Sequence, residues 1–306
     1  MNKEAQMLLE EEINITHPDK IIWADPEINK VQFLSYLVAV APVMLPFLRQ
    51  RALTVIRFPH GAEGPSFFQK NCPDYAPDYV MTAVYRETRA ILCNNLRTLI
   101  WLGNQLALEY HLPFSRVDSS GPVEIVFDLD PPDDSKFALA IKAAQEMKSI
   151  FDRLNIRSFP KLTGSRGLQI HIPLRPASLT YQETRLFTSF VASLLVDAYP
   201  DLFTTERLKR RRGGKLYIDY VQHAPGKTMI CPYSSRGKAG GKVAAPLFWE
   251  EVNEQLQRNR YTIPEMLKRI KHKGNPMAGY FETDNQVLIH IVWKLKEKTF
   301  QNNFTH

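Results

Sequence analysis

Cysteine is scarce in this chain, and its few copies are scattered. The 306 residues contain three, Cys72, Cys93 and Cys231, and no two of them form a C-x-x-C pair. A disulfide framework and a zinc ribbon or knuckle both need clustered cysteines, so this spacing argues against all of them. We expect reduced thiols, as in a cytoplasmic protein.

Targeting and membrane signals are also missing. The first residues, MNKEAQMLLEEEINI, are acidic and have no long apolar run, so they do not resemble a signal peptide. The most apolar stretch, residues 33–48, contains Pro42 and Pro46 and is shorter than the ~18–20 residues of a membrane span. We expect it to form a kinked, largely buried helix, and we expect no membrane partner.

Internal repeats, low-complexity linkers, a phosphate-binding G-x-x-x-x-G-K-[ST] loop and the lysine motif of a ligase are absent as well. With 44% hydrophobic residues and no polar break, the chain should form one compact domain over residues 1–306. What it has in excess is positive charge, a net +7. That charge favours a polyanionic partner, nucleic acid first; a basic protein without such a partner is the alternative.

Strands and helices alternate without a strict βαβ rhythm, which predicts an α+β fold with central sheets flanked by helices. The predicted strands are residues 52–60, 156–162, 168–174 and 215–222. The predicted helix starts are an N-cap at Ser135, a capping box of Thr180 with Glu183, and a capping box of Thr262 with Glu265. The last apolar stretch, VLIHIVWKL, fits either a strand or a helix.

One apolar segment, VFDLDPPDD, carries two carboxylates. Because side chains alternate between the faces of a strand, Asp128 and Asp130 should project from one face about 6–7 Å apart, while their apolar neighbours face the core. The prolines should end the strand beside them, and Asp133 and Asp134 should serve the next helix start. Two like charges this close favour a cation between them. A D-x-D in an ordinary surface loop is the alternative.

A third carboxylate, Asp219, lies alone in the apolar strand LYIDYVQ. Buried aspartates are rare unless they are paired or bind a metal, although a structural Asp bonded to a loop is the alternative. If this strand neighbours the first, the three carboxylates would hold two Mg²⁺ or Mn²⁺ ions, which prefer oxygen ligands. Such a metal pair serves in-line phosphoryl transfer.

Two further segments suit phosphate binding. The loop TGSRG offers the hydroxyl groups of Thr163 and Ser165 and the forked cation of Arg166, with close backbone approach at its glycines. The segment RLKRRRGGK, which includes Arg210 and Arg211, has six cations in nine residues and would grip a DNA backbone. Its glycine pair predicts a hairpin tip. An ordinary glycine turn and a solvated charged loop are the alternatives.

Five segments together resemble the polymerase domain of bacterial ATP-dependent DNA ligase D, a member of the archaeo-eukaryotic primase superfamily. They are VFDLDP, KLTGSRGLQIHIPL, YIDYVQHAPGKTMICPYSSRGKAGGKVAAPLFWEEV, RFPHGAEGPSFFQKN and LGNQLALEYH. The resemblance runs from about residue 19 to about residue 278, and residues 279–306 lie outside it as an extension of unknown role. It implies a primase-type fold.

The resemblance implies a template-directed polymerase that fills gaps and extends ends at DNA breaks in non-homologous end joining. It further implies two Mn²⁺ or Mg²⁺ ions, NTP or dNTP substrates with ribonucleotides preferred, and binding of double-stranded ends and gapped DNA with a 5′-phosphate. Ku and an ATP-dependent ligase domain would be its partners, in the bacterial cytoplasm at the nucleoid.

The resemblance also assigns roles to single residues. The metal-binding carboxylates would be Asp128, Asp130 and Asp219. The nucleotide-binding residues would be Thr163, Arg166, His111 and Arg236, with Ser165 in the same loop. Thr163 and Arg166 stand where the family has Ser and Lys. Where the family reads G-L-H this chain has Gln169, which carries no positive charge; His171 lies on the same strand face and would partly compensate, or it is a core histidine.

The expected DNA contacts come from the same resemblance. Lys20 and Lys30 match lysines that grip the 5′-phosphate across a gap, and Phe67 and Phe68 match an aromatic pair that stacks on template bases. Because neighbours in a strand face opposite ways, at least one of these phenylalanines should be in the core.

Three other functions stay open at this point. A haloacid-dehalogenase-type phosphatase has a similar D-x-D strand end, but its motif continues with Gly-Thr where this chain has prolines. A metal-dependent glycosyltransferase also uses D-x-D, although nothing here resembles a sugar-nucleotide domain. A non-catalytic DNA-end binder would keep the lysines and the basic segment and need no metals.

Overall fold

The computed structural model of the chain describes residues 13–304 and divides into two compact units. The first unit contains the described residues up to Pro113 together with Thr228–Ala245 and Asn259–Asn275. The second contains Phe114–Lys227, Pro246–Arg258 and the described residues from Pro276 onward. Each unit combines helices with a sheet, which confirms the α+β fold; the single domain stays a prediction. Most of the acidic start, MNKEAQMLLEEE, lies outside the described residues.

Short strands and a few long helices alternate along the chain. The strands are β1 (Ile21–Ala24), β2 (Glu27–Asn29), β3 (Thr54–Arg57), β4 (Phe67–Gln69), β5 (Thr82–Tyr85), β6 (Thr88–Ile91), β7 (Ala107–Pro113), β8 (Glu124–Asp130), β9 (Phe159–Leu162), β10 (Leu168–Pro173), β11 (Phe203–Thr204), β12 (Leu216–Asp219) and β13 (Thr228–Ile230). The helices are α1 (Lys30–Leu48), α2 (Leu96–Asn104), α3 (Phe137–Arg153), α4 (Tyr181–Ala198), α5 (Ile263–Lys273) and α6 (Val287–Phe304).

The first unit is built on a four-stranded antiparallel sheet in the order β13-β7-β3-β4. Two antiparallel strand pairs, β1-β2 and β5-β6, accompany it. Helices α2 and α5 pack against α1. Strand β7 is therefore an inner strand, and β4 is an edge strand with one free side.

Helix α1 confirms the buried helix expected from the most apolar stretch. It begins at Lys30, where Asn29 and Gln32 form a capping box, and it continues through Pro42 and Pro46. By length and composition alone it could cross a membrane, but a core helix passes the same test. Phe33 and Met44 are 0% exposed, so α1 belongs to the core of the first unit.

The second unit is built on a five-stranded sheet in the order β11-β12-β8-β10-β9. Its pairs are antiparallel except β11 with β12, which run parallel. Helices α3 and α4 pack on the sheet, and α6 packs along α4. Strand β8, which carries VFDLD, is thus the central strand and has a neighbour on each side.

The helix start at Ser135 was predicted wrongly. Helix α3 begins at Phe137, after a 3₁₀ turn over Asp134–Lys136. The cap of that turn is Asp133, whose carboxylate accepts a hydrogen bond from the Ser135 backbone N–H at 2.8 Å. Aspartate is as good an N-cap as serine, and here Ser135 is already the donor. The role of Asp133 at the helix start is confirmed.

The two capping boxes had different outcomes. At α4 the Thr180 hydroxyl accepts from the Glu183 N–H at 3.2 Å and the Glu183 carboxylate accepts from the Thr180 N–H at 2.7 Å, so that box is confirmed. At α5 Thr262 is the N-cap but makes no side-chain cap bond, and Glu265 pairs with Lys268 instead. Proline at the second helical position has no N–H to offer the threonine.

The undecided stretch VLIHIVWKL is helical in α6.

Candidate active site

Strand β8 presents two carboxylates on one face of its sheet. The predicted alternation is confirmed: Ile125, Phe127 and Leu129 are 0% exposed, while Asp128 and Asp130 on the other face are of intermediate exposure. The strand ends at Asp130, and the two prolines follow at once. The carboxylates therefore do not interrupt the core.

Asp219 lies beside them on the neighbouring strand. Strand β12 pairs with β8, and Asp219 stands directly opposite Asp128. The condition set from the sequence, that the two carboxylate strands be neighbours, is met. Withdrawal from water, with the negative charges of Asp130 and Asp219 added, raises the pKa of Asp128 to about 7. The ionised form of Asp128 is therefore destabilised in this site.

Strand β10 supplies a polar neighbour on the other side of Asp128. Gln169 stands opposite Asp128 in one pair and opposite Lys161 in the other, and its Nε2 donates to Asp128 Oδ1 at 3.2 Å. Lys161 is 0% exposed, and its charge acts to lower the pKa of Asp128. Sequence reasoning missed Lys161. A lysine inside the apolar strand FPKL was the available signal, since lysines are almost never fully buried without a partner.

Two arginines lie near Asp130. Arg166 Nη2 is 4.0 Å from one carboxylate oxygen and Arg212 Nη1 is 3.8 Å from the other. Arg212 also lies over the Tyr217 ring at 3.9 Å from its centroid, and the Tyr217 hydroxyl donates to Asp219 Oδ1 at 3.1 Å. Arg212 was part of the basic segment but was not singled out from it. The structure places it among the carboxylates.

Thr163 shapes the TGSRG loop between β9 and β10. Its hydroxyl oxygen accepts from the backbone N–H groups of Ser165 at 3.1 Å and Gly167 at 3.2 Å. A Cβ at Gly167 would meet the Leu129 carbonyl oxygen at 2.3 Å, so the close approach to β8 needs glycine there. The loop is fixed against the end of the carboxylate strand, which brings Arg166 to Asp130.

A second polar cluster lies in the first unit. His111, on β7, contacts Glu109 Oε2 through its Nε2 at 3.0 Å, and Arg236 Nη1 lies 3.3 Å from the same oxygen. The Gly237 N–H donates to Glu109 Oε1 at 3.0 Å. The structure therefore brings together His111 and Arg236, two of the nucleotide-binding residues predicted by resemblance. It does so through Glu109, which sequence reasoning missed.

Lys20 and Lys30 also lie in the first unit. The Lys30 side chain is buried, and its ammonium donates to Thr16 and to the Asn104 carbonyl and amide oxygens. Burial, with the positive charge of Lys20 added, lowers the pKa of Lys30. The two lysines predicted to act together are thus near enough to influence each other's charge. Lys20 is the more accessible of the two.

The prediction that one of Phe67 and Phe68 is a core residue is wrong. Phe67 is 46% exposed and Phe68 is 67% exposed. Both lie on β4, the edge strand of a four-stranded sheet, and both rings are open to solvent there. Arg57 lies over the Phe67 ring at 5.4 Å. The pair forms an exposed aromatic surface.

The basic segment was expected to form a hairpin tip, and that is wrong as well. Lys209–Arg211 form a 3₁₀ turn, and Gly213 and Gly214 follow with φ of +58° and +75°. They lead into β12, whose partner β11 runs parallel, and parallel strands cannot be joined by a hairpin. Arg210 and Arg211 are exposed.

The donor set on β8 and β12 fits a hard divalent cation, since all three side chains supply carboxylate oxygens and Asp128 lacks a cationic hydrogen-bond partner. Within residues 13–304, however, no three His, Cys, Asp or Glu side chains are already arranged as ligands of one ion. Asp219 accepts from the Gln222 N–H at 2.8 Å as well as from Tyr217. Side-chain rotation within the cluster is therefore needed to collect its oxygens around a metal.

The family model described as "LigD, primase-polymerase domain" matches residues 29–277. The chain belongs to the LigD primase-polymerase family. This confirms the resemblance found in the sequence and makes the chain a member of a nucleotidyltransferase family. It favours polymerase chemistry over the phosphatase and glycosyltransferase alternatives.

Related proteins agree with the family. The chain is 48% identical to the bifunctional non-homologous end joining protein LigD of Bacillus subtilis, over 94% of this chain and 47% of that protein. It is 30% identical to the multifunctional LigD of Mycolicibacterium smegmatis, over 88% of this chain and 36% of that protein. The chain thus spans about half or less of these relatives.

The fold is also similar to that of a solved structure from the same family. The polymerase domain of Mycobacterium tuberculosis ligase D, in complex with DNA, superimposes with a TM-score of 0.81 at 30% identity. The superposition covers 88% of this chain and 97% of that one. The primase-type fold expected from the sequence is therefore confirmed.

This LigD-family chain departs from the expected pattern at Gln169, where a neutral amide contacts Asp128. The suggested compensation by His171 gains no support from the contacts. His171 is 2% exposed and bonds Glu124 Oε2 at 2.9 Å, which favours the core-histidine alternative. Its role in nucleotide binding stays untested.

The residues beyond the LigD family model belong to the fold of the second unit. The Tyr280 hydroxyl donates to Glu124 Oε2 at 2.6 Å, which ties the segment to strand β8. Asn285 accepts from the Arg157 N–H at 2.9 Å and donates to the Pro173 carbonyl at 3.0 Å. The stretch without an expected role is therefore bonded to the carboxylate strand and its neighbours.

Proposed function

We propose that this chain is a template-directed nucleotidyltransferase that fills gaps and extends ends at DNA breaks in non-homologous end joining. The observation that carries the proposal is the placement of Asp219 opposite Asp128 on paired strands. Three carboxylates on one sheet, in a chain of the LigD primase-polymerase family, are what a polymerase of the two-metal class requires.

In this proposal Asp128, Asp130 and Asp219 hold two divalent cations, Mn²⁺ or Mg²⁺. The ions, when bound, would lower the pKa of the primer 3′-hydroxyl and stabilise the departing pyrophosphate. The chain's own residues prepare the site. Gln169 orients Asp128 through its amide N–H, and Tyr217 orients Asp219 through its hydroxyl.

The nucleotide-binding residues act through charge and hydrogen bonding. Arg166 offers a forked cation at the end of β8, and Ser165 offers its hydroxyl in a loop that Thr163 holds in shape. His111 and Arg236 of the first unit are proposed to contact the incoming nucleotide as well. A preference for ribonucleotides is part of the proposal and rests on the family resemblance.

The DNA contacts are proposed for three surfaces. Lys20 and Lys30 recognise the 5′-phosphate at a gap, with Lys20 as the more accessible cation. Phe67 and Phe68 stack on template bases, which their exposure supports. The exposed Arg210 and Arg211 bind the backbone without sequence preference.

The proposed cellular setting rests on the names of the relatives and on the family resemblance. The Bacillus and mycobacterial proteins are named for non-homologous end joining and are longer than this chain. We infer that this chain acts on double-stranded and gapped DNA ends together with Ku and an ATP-dependent ligase domain, in the cytoplasm at the nucleoid.

Primer extension on gapped DNA tests the proposal. The wild-type chain, supplied with Mn²⁺, should extend the primer into the gap, faster with NTP than with dNTP and faster with a 5′-phosphate than with a 5′-hydroxyl. Asp128→Ala should abolish extension, and Lys20→Ala should remove the 5′-phosphate effect while extension continues.

The matched control is Asp134→Ala, because Asp134 is an exposed aspartate paired with Arg258 outside the carboxylate cluster. It should extend as wild type does. Extension by Asp128→Ala at the wild-type rate would refute the polymerase proposal. DNA binding that depends on the 5′-phosphate but never leads to incorporation, even by the wild type, would leave only the DNA-end binder.

A further inference from the structure

Glu109 is a buried carboxylate that the proposed chemistry does not use directly. It lies on β7, an inner strand of the first unit, and is 3% exposed. Its Oε2 serves both the His111 ring, at 3.0 Å, and Arg236, at 3.3 Å, while its Oε1 accepts from the Gly237 N–H at 3.0 Å. One carboxylate therefore joins two residues that are far apart in sequence.

The ionised form of Glu109 decides how His111 is presented. Burial acts to raise the pKa of Glu109, but the hydrogen bond and charge of His111, the charge of Arg236 and the Gly237 N–H outweigh it and lower the pKa. An ionised carboxylate only accepts hydrogen bonds, so the His111 Nε2 must carry a proton. The other ring nitrogen, Nδ1, is then the one left for a ligand.

Arg236 is held in a comparable way. Its backbone N–H donates to the Lys242 carbonyl at 2.8 Å, and the Ser235 hydroxyl before it donates to the Leu108 carbonyl on β7. A Cβ at Gly237 would lie 2.0 Å from the Phe58 ring, so glycine is needed for the chain to pass this close and bring its N–H to Glu109. The backbone around Arg236 is thereby fixed to the strand that carries Glu109.

The guanidinium of Arg236 keeps an unused donor. Its Nε is buried and has no hydrogen-bond partner among the residues that the structure describes. A buried N–H without a partner is costly, and an anion bound beside it would supply the missing acceptor. His111 and Arg236 both keep 15% of their side-chain surface exposed, so each retains an edge for a ligand.

We propose that Glu109 is a positioning residue that sets the ring orientation and proton position of His111 and aims the Arg236 guanidinium, so that Arg236 presents donors to the phosphates of the incoming nucleotide and His111 presents its Nδ1 to the same nucleotide. The inference rests on the proposed function, because it assumes that His111 and Arg236 contact the nucleotide. Glu109 itself does not touch the substrate. It acts through its two partners.

The test compares Glu109→Gln with His111→Ala and Arg236→Ala in primer extension with Mn²⁺ and varied NTP. Glutamine keeps the size of Glu109 but offers one acceptor oxygen and an NH₂ group that repels the donors of Arg236 and His111. We expect a rise of about tenfold in the KM for NTP with a smaller change in kcat, because positioning of binding groups is lost while the carboxylate cluster is untouched.

Two further measurements separate positioning from mere folding. The double variant Glu109→Gln, Arg236→Ala should have nearly the KM of Arg236→Ala alone, since residues that act as one unit are not additive. The ¹⁵N signals of His111 should show a protonated Nε2 in the wild type and a changed tautomer mixture in Glu109→Gln. Glu183→Gln is the control, because it removes a hydrogen-bonded carboxylate from helix α4 and should leave the KM for NTP unchanged.

The outcomes distinguish the inference from the proposed function. A wild-type KM in Glu109→Gln, together with raised KM values in His111→Ala and Arg236→Ala, would overturn the inference and leave the proposed function standing. A wild-type KM in all three variants would overturn the nucleotide role of the pair and the inference with it. A KM rise in Glu183→Gln that matches its loss of thermal stability would show that stability alone moves KM, which also overturns the inference.

Discussion

Asp128 and Glu109 are both carboxylates on inner strands, yet their surroundings shift their pKa values in opposite directions. Asp128, in the second unit, has two further aspartates near it and an amide as its hydrogen-bond partner, and its pKa is raised to about 7. Glu109, in the first unit, has an arginine, a histidine and a backbone N–H around it, and its pKa is lowered. The protein therefore stabilises the ionised form of Glu109 with its own groups and destabilises the ionised form of Asp128, mainly through burial.

The difference indicates what each carboxylate does. A site in which an ionised carboxylate is disfavoured suits a cation from outside, because a bound cation would favour the ionised form. In our proposal, a carboxylate that is already satisfied orients its partners instead. The same chemical group would then serve ligation in one unit and positioning in the other.

The largest effect is expected at Asp128. Asp128→Asn should lower primer extension by about a thousandfold or more, because an amide is a poor ligand for a hard divalent cation. Without metal the same variant should be more stable than wild type, because the amide does not repel Asp130 and Asp219. Extension rates and thermal unfolding in a chelator measure the two effects.

Asp134→Asn is the control for Asp128→Asn, since Asp134 is exposed and paired with Arg258. It should change neither activity nor metal-free stability appreciably. If Asp128→Asn destabilised the metal-free protein, the description of Asp128 as a carboxylate whose ionised form is destabilised would be wrong.

Truncation of Glu109 should lower the stability of the protein, whereas Asp128→Asn should raise the stability of the metal-free protein. Glu109→Ala leaves Arg236 without its carboxylate in a buried setting, and breaking a buried charged pair costs about 3–5 kcal/mol. We therefore expect a large loss in the free energy of unfolding, measured by urea titration. Glu109→Gln should lose less, because it keeps one acceptor. Equal stability of Glu109→Ala and wild type would contradict the account of Glu109 as a satisfied, charge-paired carboxylate.

The proposed stacking of Phe67 and Phe68 on template bases is a role in the first unit that involves no buried charge. Phe67→Ala and Phe68→Ala should each weaken binding to DNA with a single-stranded template segment by about 1–3 kcal/mol, the range for loss of a base–aromatic stack. Stability should hardly change, since the two side chains are 46% and 67% exposed. Fluorescence anisotropy gives the affinity. Val84→Ala, at an 82% exposed apolar position, is the control and should bind normally.

Much of the second unit's site could be predicted from sequence. The alternation of VFDLD gave the faces of β8, and the lone aspartate in LYIDYVQ gave the third carboxylate, because strand periodicity is a local property. The strand pairing that puts Asp219 opposite Asp128 is not local. From sequence alone, the three-carboxylate site therefore depended on an assumed pairing of the two strands, which the register of β8 and β12 then supplied.

What sequence reasoning missed depends on tertiary neighbours. Glu109 is unremarkable in LALEYH until His111, Arg236 and Gly237 are seen around it. Phe67 and Phe68 were misassigned because alternation places one residue in a core only if a layer covers the strand, and both side chains of β4 are exposed. Ser135 lost its predicted role because Asp133, two residues earlier, was an equally good cap.

The smallest effect concerns a carboxylate that is paired without being buried. The hydrogen bond from Lys296, with those of Thr180, lowers the pKa of Glu183 to about 2 from 4.5. A carboxylate whose pKa is lowered in the folded state adds stability that is full above its unfolded pKa and is lost as the pH falls through the folded value. Glu183→Gln should therefore be less stable than wild type at neutral pH, by about 0.5 kcal/mol as for a surface pair.

That difference should shrink between about pH 4.5 and pH 2 and disappear below, as followed by urea unfolding at a series of pH values. Lys296→Met, which removes the donor and keeps the stem, should reproduce most of the loss at neutral pH and weaken its pH dependence. A difference in the free energy of unfolding between Glu183→Gln and wild type that stays constant over this pH range would contradict the prediction. Glu183 would then stabilise the start of α4 through its packing and not through its charge.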